Sequence, residues 1–480
     1  MEAPSPVTEL CLDLILAAFQ RCRVSEDICR LSIILKASLS PPSDSPIIRI
    51  SISDTGIGSN LEEFQNLKCA KQAIDTQHWD GLLSFITTST CDSEVYRYAL
   101  NLRESVGNGR LTRLPSNPKN GAKFSGSEVC LSVSESLDAL VPAINHFFRK
   151  ILILKIPNVA VDLVVENEDI PGSRFENVFL ANESNPLPFS APNYERLKSG
   201  LEDYVIKHGH RLNQNCNPCF LIRENLKAGI GMACSLESER SSGLIAEVVI
   251  IISECGPTCP YYSQCSSKTE ILYFEDFRPC SIPDQFVNAL SGIDWKSYGL
   301  SLGNVDDQEG NFLEWENLPP GTHISIVLHC YRKQPSVRRK SQADRSLIKR
   351  SVKLALDDLK EKYSGTLLSR HAVKIRSYAP DLAKSIAGLI LTSNDSDFQE
   401  ECFSLLGLQT KEIKEETVEN CIKEKIISVI NTNDRKSRKS TEMAAAPSLF
   451  EDDCSWNSNF HDKEYEEGDD ESDNLFDYLD

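Results

Sequence analysis

The chain has 480 residues, 40% hydrophobic and 25% charged, the composition of an ordinary globular protein long enough for two or three domains. A net charge of −19 excludes a general nucleic-acid binder, whose affinity rests on cations placed against phosphate. No run approaches the roughly eighteen apolar residues of a membrane span, and the opening M-E-A-P-S-P lacks a basic segment, so neither a membrane protein nor a signal peptide is expected.

In chain order, L-C-L-D-L-I-L-A-A-F-Q-R-C (10–22) reads as a helix by length and by its Leu and Ala content. Asp13 interrupts it and Arg21 and Arg23 end it, the pattern of a core helix. A strand is expected in L-S-I-I-L-K-A (31–37), and a turn-rich loop leads to Ile47–Gly58, I-I-R-I-S-I-S-D-T-G-I-G. Apolar and polar residues alternate there from Ile48 to Ser53, the period of a half-buried strand. The strand delivers Asp54 into a turn containing Gly56 and Gly58, where backbone without side chains lets a ligand approach closely. Glu62–Ala70 has a helical look, Gly107–Gly126 reads as a glycine-rich lid, Val129–Val133 as a strand and Ser136–Lys150 as a helix. Two apolar runs around Pro157 and Asn158 suggest a hairpin over Ile151–Val165. Residues 1–165 are thus expected as one domain, with a linker at 166–192, which is rich in Asn, Pro, Glu and Ser.

The second region, 193–395, is expected to open with a helix over Tyr194–His210 and to hold strands at Leu244–Ser253, Ile271–Phe274 and His323–Cys330. Helices follow at Ser346–Tyr363, at His371–Leu391 with a break at Pro380, and at Lys411–Ile430, within an extension at 396–430. Arg332–Lys353 is basic and suits a solvated loop, a nuclear import signal or a phosphate contact. Residues 431–480 turn from basic to strongly acidic and are expected to be disordered. Their end, N-L-F-D-Y-L-D, has the look of a short docking peptide. The 17 cysteines are odd in number and scattered, so reduced thiols are expected. Cys216, Cys219, Cys255 and Cys259 form two pairs of near metal-ligand spacing, without histidine support for zinc.

A helix followed by a strand ending in D-x-G-x-G resembles the nucleotide pocket of the GHKL ATPases, the superfamily of gyrase, Hsp90 and MutL. G-I-D-W-K-S-Y-G-L (292–300), preceded by Y-F-E-D-F-R-P-C-S-I-P, is similar to the transducer signature of the DNA topoisomerase VI B proteins. Over residues 8–395 the order of motifs fits best the plant meiotic topoisomerase VI B-like proteins. The resemblance implies an α+β fold: an N-terminal GHKL (Bergerat-type) α/β sandwich, then an α+β transducer domain with long C-terminal helices, then a disordered acidic tail. It implies that Asp54, Gly56 and Gly58 are the remnant of an adenine pocket, and that Asp294, Trp295, Lys296 and Tyr298 are structural.

The family's water-activating glutamate, Mg²⁺-binding asparagine and following aspartate fall on Asp13, Ala17 and Gln20. Asp13 is one methylene short for a base in reach of its water. Ala17 offers Mg²⁺ no oxygen, and V-G-N-G-R lacks the family's phosphate-cradling glycine spacing. ATP and Mg²⁺ are the cofactors that the resemblance implies, and turnover of ATP is expected to be largely lost. Lys333 is the nearest candidate for a γ-phosphate-sensing lysine. The partners implied are A-like tyrosine transesterase subunits of the meiotic break complex, reaching DNA through that complex. A homodimer within a heterotetramer, a nuclear location and no membrane association are implied as well. Leu382, Ile386, Leu389 and Ile390 are apolar at helical spacing and are expected to carry the docking surface. Two rival readings are a working ATP-driven dimerising clamp and an aspartic-protease-like enzyme using Asp54-Thr55-Gly56.

Overall fold

The structure is a computed structural model. It describes residues 5–38, 47–65, 67, 79, 81–104, 110–167, 173–180, 186–209, 225–235, 243–254, 269–306, 312–315, 318, 322–332, 345–408 and 414–436.

Helix α1 (Pro6–Val24) starts where the Ser5 hydroxyl accepts from the Thr8 amide at 3.1 Å, with Pro6 in the first turn and Arg21 and Arg23 in the last. Leu10, Cys11, Leu14, Ile15, Ala18, Phe19 and Cys22 are buried on one stripe. That stripe lies on β1 (Cys29–Ser38) and β2 (Ile47–Asp54), whose side chains alternate in burial as the sequence alternates in polarity. With β3 (Leu82–Thr88), β4 (Glu94–Asn101), β5 (Leu111–Pro118), β6 (Gly126–Val133), β7 (Val159–Asn167) and β8 (Arg174–Leu180) they form an eight-stranded sheet ordered β5-β4-β3-β6-β2-β1-β7-β8. Every pairing is antiparallel except β1 with β7. Helix α2 (Leu61–Gln65) is short, and α3 (Leu137–Ile151) packs beside α1.

The second sheet runs β13-β14-β11-β15-β10-β9, from β9 (Leu226–Cys234), β10 (Leu244–Glu254), β11 (Thr269–Glu275), β13 (Leu302–Asp306), β14 (Phe312–Trp315) and β15 (Thr322–Arg332), with β12 (Arg278–Cys280) as a hairpin on β11. Strand β10 is central, and Ala246–Ser253 are buried without interruption. A strand covered on both faces reads as an unbroken apolar run, which is the look of V-V-I-I-I (248–252), with Glu247 and Ser253 buried at its ends. One face packs under α5 (Asp284–Ser291) and α6 (Arg345–Lys362). The other joins the core of the first sheet through Val249, Ile251, Leu272, Phe274 and Val327. Helix α4 (Asn193–His208) lies between the sheets, and Met1–Arg435 form one compact unit.

The fold is α+β, an α/β sandwich followed by an α+β region and then helices. Four expectations are corrected. The linker expected at 166–192 is packed in its described parts: Arg174–Leu180 extends the first sheet, and the buried Arg196 guanidinium donates to the carbonyls of Lys155, Pro188, Phe189 and Ala191. Of the lid, 111–118 is strand β5. Ile151–Val165 is no hairpin, because Leu152–Leu154 is a 3-10 turn that ends on Lys155 at φ +44°. Disorder does not begin at Asn431, since α10 (Glu415–Lys436) continues past it. Residues 105–109, Lys333, Cys216, Cys219, Cys255, Cys259 and the tail from 437 lie outside the described residues.

Candidate functional site

Strand β2 carries Asp54 to the end of the first sheet, where it is 5% exposed. Neither oxygen faces an open site. Oδ1 accepts from the Gly56 amide at 3.0 Å, and Oδ2 accepts from Arg21 Nε at 3.0 Å and Nη2 at 2.7 Å. Arg21 Nη1 also pairs with Glu63 on α2. Burial alone would lower the guanidinium pKa, but the two carboxylates outweigh it and raise it above its ordinary value. A cation fixed between two anions inside the fold is a finished interaction, not a vacant one.

The glycines are used in the same way. A Cβ on Gly56 would lie 2.6–2.7 Å from backbone atoms of Arg21 and Cys22, so its missing side chain admits helix α1. Gly58 has φ +87°, and a Cβ there would meet the Thr88 carbonyl at 2.6 Å. The next residue joins the turn to the sheet: Ser59 N donates to Thr87 Oγ1 and its hydroxyl to Ser127 Oγ, both at 2.7 Å. With both Asp54 oxygens engaged, the protease reading has no carboxylate able to activate water.

Asp13, Ala17 and Gln20 are partly exposed on α1, and the two polar residues among them are committed elsewhere. Asp13 Oδ1 accepts from Arg278 Nη2 at 2.6 Å. Gln20 Nε2 donates to the carbonyls of Asp276 and Phe277, both at 3.3 Å, while its Oε1 accepts from Arg23 Nε at 2.8 Å. Ala17 has no donor atom. These residues do not fit Mg²⁺ or a triphosphate. Among the described residues, no His, Cys, Asp and Glu cluster is arranged to hold a metal ion. Burial pushes the Cys11 and Cys330 thiols up to about 12, which leaves them protonated and inert.

Sequence reasoning missed Arg21, Glu63, Phe277 and Arg278. Arg21 had a readable signal, because it falls on the apolar stripe at the spacing Leu14, Ala18, Arg21. Phe277 and Arg278 had none, being distant in sequence from the helix that they meet.

In the transducer-like signature, Trp295 and Tyr298 are buried and Asp294 and Lys296 are exposed. Trp295 Nε1 donates to Leu290 O at 2.8 Å and Tyr298 Oη to Asp357 Oδ1 at 2.6 Å. Gly299 has φ +75°, and a Cβ there would sit 2.1 Å from Leu368 O. The motif therefore braces α6 and the start of α7 (Arg370–Ser377). Helix α8 (Ala379–Thr392) follows, breaking from α7 at Tyr378, then α9 (Ser396–Leu406). Ala383, Ala387 and Ile390 pack on Phe403 of α9 and on Val418 and Ile422 of α10, with Ile386 at the edge of that cluster. Leu382 and Leu389 are 50% and 70% exposed. The four expected docking residues thus do not share one free face: Ile390 belongs to the helix core.

Among solved structures the chain is similar to the 43K ATPase domain of Thermus thermophilus gyrase B in complex with an aminocoumarin, with 12% identity, 74% of this chain and 85% of that one covered, and TM-score 0.36. It is also similar to the B-subunit of the DNA gyrase from Myxococcus xanthus, with 12% identity, 75% and 90% covered, and TM-score 0.37. Among curated proteins none matches. The MTOPVIB middle domain matches residues 194–363, and the meiotic topoisomerase VIB-like C-terminal domain matches residues 371–435. Two adjoining matches in the order of the family place the chain among the meiotic topoisomerase VIB-like (MTOPVIB) proteins.

Proposed function

We propose that the chain is a non-catalytic B-like subunit that holds an A-like tyrosine transesterase in place for programmed double-strand breaks at the start of meiotic recombination. The observation that carries this reading is the buried Arg21–Asp54 pair, which fills from within the position where the pocket would meet adenine. Chemistry is then supplied in trans by the partner, and DNA is met through the complex. In this reading the protein works in the nucleus, as a pair of copies within a heterotetramer. Its working surface is the exposed apolar side of α7 and α8, where Ile375, Tyr378, Leu382 and Leu389 stand in solvent.

Calorimetry of the full chain with ATP and Mg²⁺ is expected to give no heat of binding. Micromolar affinity, or turnover abolished by Asp54→Ala, restores the clamp and sinks the scaffold. In a pull-down with the A-like partner, Leu382→Asp with Leu389→Asp is expected to abolish capture and leave the melting temperature within about 1–2 °C, since exposed positions contribute little to stability. Capture that survives truncation before residue 340 puts the docking surface elsewhere.

A further inference from the structure

We propose that α1 and the β11–β12 turn form a permanent latch, which fixes the first sheet against the second without nucleotide. The proposal rests on the reading that this chain does not use ATP, and it adds what took the place of that use.

Asp13, Gln20 and Arg23 lie along one side of α1, at spacings of seven and three residues. All three engage the same turn. Asp13 pairs with Arg278 at 2.6 Å, Gln20 Nε2 reaches the Asp276 and Phe277 carbonyls at 3.3 Å, and the Arg23 guanidinium lies 4.1 Å from the centroid of the Phe277 ring. Arg23 and Gln20 also bond to each other at 2.8 Å, so they act as one unit. Ala17, between them, adds no bulk that would hold the turn away.

The turn is gripped from its other side as well. Phe277 packs edge-on against His329 at 4.4 Å and near Tyr331 at 5.4 Å, and Asp276 Oδ1 accepts from the Arg332 amide at 3.3 Å. Asp276 and Phe277 have φ of +46° and +64°, two successive non-glycine residues in the left-handed region. Such a pair persists only where the surroundings over-determine it, and here helix and sheet both do.

A second attachment stands elsewhere, on α4. Lys155 Nζ pairs with Asp203 at 2.7 Å, Tyr204 Oη bonds Glu270 Oε1 at 2.9 Å, and Gly200 lets the helix close onto the Ile153 carbonyl. One contact would leave a hinge. Two contacts, each tying the first sheet's layer to the second, leave one orientation.

The test uses the full chain with fluorophores encoded at exposed Lys123 and Lys296, read by single-molecule energy transfer, and hydrogen exchange of residues 275–280. The unmodified chain is expected to give one narrow distance distribution, identical with and without ATP and Mg²⁺. Gln20→Ala with Arg23→Ala is expected to broaden that distribution and to speed exchange in the turn at least tenfold. Asp13→Arg is expected to loosen it too, and the exchanged pair Asp13→Arg with Arg278→Asp to restore it. A narrow distribution in the Gln20→Ala, Arg23→Ala chain overturns the latch, even where calorimetry finds no ATP binding. A distribution that moves on adding ATP overturns both the latch and the reading beneath it. Variants that lose the helical circular-dichroism signal are replaced by Phe277→Leu, which removes the ring beneath Arg23 and keeps an apolar residue in the turn.

Discussion

Arg21 decides the character of the pocket, because a guanidinium buried between Asp54 and Glu63 neutralises the group that would otherwise attract a ligand. Removing one partner leaves the other charged and desolvated, which typically costs about 3–5 kcal/mol. Arg21→Ala is expected to lower stability by that amount in urea unfolding, and Arg21→Ala with Asp54→Ala by less than the sum of the single changes. A cost below about 1 kcal/mol would show the pair to be dispensable. Gly56→Ala forces a Cβ to within 2.7 Å of the α1 backbone. Backbone cannot swing aside as a side chain can, so a loss of at least about 1–3 kcal/mol is expected from melting curves. Asp54, Gly56 and Gly58 stood out in the sequence because a strand period ends on them. That Arg21 would answer Asp54 was not legible, because it depends on how far α1 lies from the end of β2.

At the scale of elements, the long apolar or alternating segments were legible: α1, β2, β10, β15 and α6 all fall where their periodicity puts them. Errors gathered where local pattern is overruled by distant packing. The apolar run at Leu152–Leu154 looks like strand but turns on Lys155, whose left-handed backbone is held by its pairing with Asp203 and by Arg196 on its carbonyl. Strand β8 was unreadable because three of its four apolar residues, Phe175, Val178 and Leu180, face solvent at a sheet edge. The β10–β15 ladder adds a pH dependence. His329 stands opposite Glu247 and faces Phe277, Tyr331 and the charges of Arg23 and Asp276. Burial holds its imidazole below the ordinary 6.5, Arg23 acting with burial and Glu247 against it. The unfolded chain therefore binds a proton at pH values where the fold does not, so stability is full above about 6.5 and falls as pH drops through it. The urea midpoint is expected to decline between pH 7 and 5, and to decline less in His329→Phe. Equal slopes in the two chains would assign the effect to other groups.

For the whole molecule, the two sheets do not behave as separable domains. Val249, Ile251, Leu272, Phe274 and Val327 share a core with the first sheet, and a fragment of residues 193–436 would expose them. Such a fragment is expected to be aggregation-prone or to lack a cooperative melt, whereas 5–436 should unfold in one transition. A sharp, reversible melt of the fragment would contradict this. Sequence composition suggested a boundary at 166–192 because polar residues usually mark linkers; here they cover a segment held down by Arg196, a contact no local pattern announces.

The turn at Asp276 and Phe277 also bears on how the chain is made. Its left-handed residues, Asp276 and Phe277, find their partner Gln20 on a helix 256 and 257 residues earlier, and the neighbouring Arg278 finds Asp13 265 residues earlier. During synthesis α1 leaves the ribosome first and can pack on β1 and β2 long before the turn exists. The turn then closes on a surface already waiting for it, instead of searching for one across a long loop. A circular permutant that places residues 1–165 after 436 reverses that order. It should reach the same fold more slowly, with the β11–β12 hairpin the last element to gain protection from hydrogen exchange.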